Sequence, residues 1–90
     1  MNLLKKKDKP KKVKHAKKIK LFFTMAMSFE KAYGPSEASF PKEEMKKAGK
    51  TLVKEDVLDA FGKLREWNGG LPEPNKELDE ALISLSAVIT

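Results

Sequence analysis

TLVKEDVLDAFGKLREWNGG occupies residues 51–70, and its apolar side chains fall at Val53, Val57, Ala60, Phe61, Leu64 and Trp67. Steps of three and four place all six on one side of an α-helix, whereas a strand would need every second residue apolar. Thr51 offers a side-chain oxygen to cap the first turn. Gly62 costs about 1 kcal/mol relative to alanine without stopping the helix. Asn68, Gly69 and Gly70 stop it, with Pro72 and Pro74 just beyond. The spacing predicts a helix over about 52–67, whose apolar stripe needs other elements to cover it.

The flanking segments supply them. On the N-terminal side, Pro41 suits the first position of a helix, where its missing N–H would be unpaired anyway. Glu43 and Glu44 follow in the first turn and Lys46, Lys47 and Lys50 at the far end, each complementing the helix dipole. Gly49 is expected to interrupt this helix, giving a span of about 41–48. On the C-terminal side, Asn75 is a ready cap, Glu77, Asp79 and Glu80 are acids in or near the first turn, and Leu78, Leu82, Leu85 and Ile89 form a stripe. A helix over about 75–88 follows, although ISLSAVIT at 83–90 also alternates like a β-branched strand. No second strand is evident to pair with it.

Further upstream, Val13, Ala16, Ile19, Phe22, Phe23, Ala26, Phe29 and Tyr33 recur on one helical face, and Gly34 and Pro35 give a hard stop, so a long helix is expected over about 12–33. Eight of the eleven residues from Ile19 to Phe29 are apolar, and Leu21, Met25 and Met27 fall beside or behind the stripe. That surplus is either covered by the rest of the domain or is an interface. The expectation is an all-α fold: one domain of three to four helices over 13–90, with a flexible, disordered Lys-rich arm at 1–12. A chain of 90 residues is a modest core-builder. Roughly 60–65% of its unfolded surface is buried on folding.

Charge is placed very unevenly. The run KKKDKPKKVKHAKKIK at 5–20 holds ten lysines (Lys5, Lys6, Lys7, Lys9, Lys11, Lys12, Lys14, Lys17, Lys18 and Lys20) against Asp8, a sum of +9. The whole chain is +6, so residues 21–90 carry 9 basic and 12 acidic side chains, or −3. The basic character belongs to the arm and not to the body.

Catalysis finds little support. The chain has no cysteine, hence no disulfide, thiolate metal site or thiol nucleophile. The single histidine, His15, sits among lysines with no neighbour to orient it. There is no G-x-S-x-G elbow, no glycine-rich phosphate loop and no EF-hand. The acidic pairs Glu43/Glu44 and Asp56/Asp59 suit helix starts and polar faces. No enzyme activity and no cofactor are expected. A helix-turn-helix centred on Gly49 fits badly, because it sets Glu44, Lys50 and Glu55 where apolar side chains should meet. Its recognition helix, 52–67, would carry a net charge of −1, a poor instrument for a phosphate-lined groove.

The arm is different. Each lysine paired with a phosphate releases a condensed counterion, so ten lysines give salt-dependent binding. The arm has neither arginine to grip a base edge nor aromatic ring to stack on one, so little sequence preference is expected. Nucleic acid or an acidic protein surface fits that description. An anionic membrane surface beside Phe22, Phe23 and Phe29 ranks below both. The expected role is a non-catalytic regulatory protein holding nucleic-acid phosphates through the arm. The alternative is an inhibitor or adaptor, of the kind phages and plasmids carry, acting on a larger host enzyme through the first helix and the arm. Leu21, Met25 and Met27 are the expected protein interface, with self-association into a homodimer a further outlet. Trp67, beside the loop GGLPEP, is the expected anchor.

The apolar run Leu21 to Met27 is far shorter than the roughly 20 residues that cross a bilayer. The lysine segment before it is too long for a secretory leader, and Glu30 and Lys31 follow without a small-residue cleavage site. A cytoplasmic location is expected.

Overall fold

A computed structural model of the chain describes residues 12–90. The disordered arm assigned to 1–12 lies, Lys12 excepted, outside the described residues. Five helices follow in order: α1 Ala16–Ala26, α2 Phe29–Tyr33, α3 Lys42–Thr51, α4 Lys54–Gly69 and α5 Lys76–Ile89. The domain is small and all-α, with no strand among the described residues beyond one isolated antiparallel bridge between Lys12 and Val53.

The stripe that opened the analysis organises the core. Val57, Ala60, Phe61, Leu64 and Trp67 of α4 are all buried. α4 packs on α3 and on α5, and α1 packs on α3. Phe61 ties α1 to this centre, its ring 5.3 Å from Phe23 and 5.8 Å from Phe22, the latter edge-on. Ile19, Phe23 and Ala26 from α1, Met45 and Ala48 from α3, and Leu78, Leu82 and Ile89 from α5 complete the interior. Trp67 is 1% exposed and packs edge-on against Phe40, ring centroids 4.9 Å apart. It anchors the loop before α3 from within and is not presented to a partner.

The long N-terminal helix is shorter than its periodicity suggested, at both ends. Val13 is buried, and its N–H donates to the Leu52 carbonyl at 2.7 Å. That extended pairing removes residues 12 and 13 from the helix, and His15, with φ 58°, turns the chain before α1 begins. The second break follows Ala26. The Ser28 hydroxyl donates to the Met25 carbonyl at 2.8 Å, a local bond that competes with the helical ladder. A turn results, and Phe29 and Tyr33 then stand on a separate short helix, α2, ended by Gly34 at φ 83°. A residue with a Cβ would be strained there.

Other boundaries move by a residue or two. Pro41 precedes α3 as its cap and is not its first residue. Gly49 does not interrupt α3, which runs on to Thr51; a glycine inside a helix costs only about 1 kcal/mol relative to alanine. Leu52, at φ 53°, makes the stop. Thr51 is therefore not the cap of α4; its hydroxyl donates to Asp56 at 2.6 Å, and extended Val53 precedes the helix. α4 continues past residue 67 to Gly69 because Asn68 is buried and bonded within the domain. ISLSAVIT is helical and not a strand: the Asn75 side chain accepts the Leu78 N–H at 3.1 Å, so α5 starts where the cap predicted.

Candidate functional site

α1 presents a cationic surface whose origin is the sequence run that precedes and enters it. Residues 12–26 hold Lys12, Lys14, Lys17, Lys18 and Lys20 and no acid, a sum of +5. All five are exposed. The ion pairs among the described residues lie elsewhere: Lys47 with Asp56 at 3.7 Å, Lys63 with Glu44 at 3.4 Å and Asp59 at 3.8 Å, and Arg65 with Asp79 at 2.7 Å. These involve α3, α4 and α5. The α1 lysines join none of them. Lys5, Lys6, Lys7, Lys9 and Lys11 lie outside the described residues.

The acids on the far flank of α3 are held there by geometry. Glu44 has its pKa lowered from the ordinary 4.5, first by its backbone hydrogen bond in the first turn of α3, opposed by desolvation, and then by the Lys63 ammonium. The opposite flank of α3 carries Lys42, Lys46 and Lys50 at steps of four. α3 thus turns Glu43, Glu44 and Lys47 toward α4 and Lys46 and Lys50 toward α1.

Where that flank meets α1, a groove of about 230 Å³ opens. Lys20 and Thr24 from α1 and Lys46 and Lys50 from α3 rim it, and Phe23, Met27, Met45 and Gly49 line its floor. Met27, half-buried, belongs to this floor and packs against the core. Sequence reasoning placed Lys46 and Lys50 as dipole complements only. Their spacing marked them as one row, but nothing in the chain announced that the row faces Lys20.

Leu21 and Met25, one turn apart on the outer side of α1, are 68% and 56% exposed. Beside them Phe22, Phe29 and Tyr33 form an edge-on chain, with centroids 6.5 Å and 5.5 Å apart. The surplus apolar residues therefore divide: Leu21 and Met25 face solvent, while Met27 does not. His15 serves the backbone, its carbonyl accepting the Ile19 N–H at 3.0 Å. α4, which a helix-turn-helix would offer to a DNA groove, is the helix most enclosed by its neighbours. Among the described residues no helix is long and apolar enough to cross a membrane. No protein-family model, curated protein or solved structure matches the chain.

Proposed function

We propose that this is a non-catalytic, cytoplasmic regulatory protein that holds nucleic-acid phosphates through the lysines of residues 5–20. One observation carries the reading. The five lysines between residues 12 and 20 stand exposed and make no ion pair with a carboxylate among the described residues. Uncompensated ammonium groups at this density condense onto a polyanion and release its counterions. A lysine run with neither arginine nor an aromatic ring of its own favours phosphate over base, hence binding with little sequence preference.

The test is a salt titration of binding to a labelled duplex, followed by fluorescence anisotropy. Replacing Lys14, Lys17 and Lys18 with Gln is expected to flatten the slope of log K against log salt by about 2–3, near 0.9 per lost phosphate contact. Helicity should not change. An isotherm that does not move with salt overturns the reading.

Leu21 and Met25 favour a second reading, an inhibitor or adaptor that seats α1 on a larger protein. Leu21→Ser with Met25→Ser would then abolish that capture and leave the salt slope on nucleic acid unaltered.

A further inference from the structure

The α1–α3 groove has an apolar floor as well as a cationic rim, and phosphate has no use for the floor. Phe23 and Met45 are buried at its base, half-buried Met27 completes the floor, and Gly49 leaves the α3 side open. The occupant has to be apolar and anionic together. A second α1 face is repelled, since Lys17, Lys18 and Lys20 would meet their own copies.

The same chain carries a surface of the required kind. On α5, Glu80, Ile83, Ser84 and Ala87 are exposed and stand at i, i+3, i+4 and i+7, the spacing by which a helix lies in a groove. Glu77, one turn earlier, is also exposed. Ile83 is 47% exposed, an aliphatic side chain on the face turned from α4. Residues 70–90 carry Glu73, Glu77, Asp79 and Glu80 against Lys76 alone, a sum of −3. Of these acids only Asp79 is engaged in an ion pair among the described residues.

We propose that the α1–α3 groove is a docking site for the outward face of α5 from a second copy of this chain. Ile83 and Ala87 lie over the Met27–Met45 floor, and Glu77 and Glu80 meet Lys20, Lys46 and Lys50. The two surfaces are different parts of the molecule, so the contact is heterologous and each pair keeps one free groove and one free α5. Stable pairs bury roughly 1,200–2,000 Å². A groove of about 230 Å³ seats one helix edge, and the association is accordingly weak, with a dissociation constant on the order of 100 μM. The inference goes beyond nucleic-acid binding and does not depend on it.

Sedimentation velocity on nucleic-acid-free protein tests it. At low salt the weight-average mass should climb with concentration, and high salt should return it to the monomer. Gly49→Leu fills the floor from a position where an added Cβ meets nothing within 4 Å, and it favours the helix, so this variant folds and loses association. Glu80→Lys with Ile83→Ser, at exposed positions past the first turn of α5, loses it too. Mixed together, the two variants recover one good contact and form a one-to-one pair that grows no further. Monomer at every concentration overturns the proposal, as does association indifferent to Gly49→Leu or a mixture that fails to pair. Sedimentation of the protein with phosphatidylserine vesicles, relieved by Gly49→Leu, would give the groove to a lipid and also overturn it. A flat mass profile leaves the salt slope on a duplex untouched, so the two failures are distinguishable.

Discussion

Asn68 is the one buried polar side chain among the described residues, 2% exposed. Its amide donates to the Asn75 carbonyl at 2.8 Å and its carbonyl oxygen accepts the Asn75 N–H at 2.8 Å. One side chain thus closes the loop between α4 and α5 and sets the residue that caps α5. Asn68→Ala strands the Asn75 N–H, while the Asn75 carbonyl keeps the Asp79 N–H at 3.2 Å, and a loss of about 1–3 kcal/mol is expected in chemical denaturation. A loss below the cost of trimming an exposed side chain would mean that the clamp does not hold the loop. Gly70 is a second test at this scale. A Cβ there would run into the Ser36 hydroxyl and would stand 3.0 Å from the Ala38 nitrogen and 3.1 Å from the Glu37 nitrogen, whose N–H donates to the Gly70 carbonyl. Backbone cannot yield as a side chain can. Gly70→Ala is expected to cost about 1–3 kcal/mol, whereas Gly62→Ala, inside α4 with open space around it, should gain up to about 1 kcal/mol. Equal effects from the two alanines would sink this account. Asn68 was legible in the chain as a helix stop only. Its real use, a paired bond to a residue seven positions on, depends on how the loop folds back, and no local pattern encodes that.

Among the elements, α3 has the clearest pH signature. The Glu44 carboxyl titrates below its ordinary value of 4.5, so the folded state favours its charged form. A depressed folded pKa contributes stability that is fully present above the unfolded pKa and is lost as pH falls through the folded one. Glu44→Gln is therefore expected to be less stable than wild type at neutral pH, with the gap closing as acid is added below about 4.5. Thermal melts of both proteins from neutral to acid pH measure this. A gap that widens in acid would reverse the assigned sign. The existence and type of α3, α4 and α5 were readable from caps and apolar spacing, because those signals act within a turn or two. The two breaks that shorten α1 were not. One comes from a serine hydroxyl competing for a carbonyl, the other from residues 12 and 13 pairing with residues some forty positions away, at Leu52 and Val53.

For the whole molecule, separation of charge was the strongest message in the sequence, and the described part of it survives folding: the lysines of residues 12–20 remain apart from the paired acids of α3, α4 and α5. The groove between α1 and α3 was beyond reach, since it combines one flank of each of two helices and a floor of core residues. The Val13 N–H, bonded to the Leu52 carbonyl at 2.7 Å, should show protection from hydrogen exchange like that of the helices; exchange at the rate of an open chain would mean that this bond is not made. The anchor has a geometric corollary. Eight peptide units separate Val13 from Lys5, and at about 3.6 Å each they span no more than about 29 Å. The chain from Lys5 onward is therefore tied by its covalent length to within that distance of the corner between α3 and α4. If the arm holds a duplex as proposed, that radius lets its backbone reach no more than about 58 Å from end to end, less than two turns of about 34 Å each.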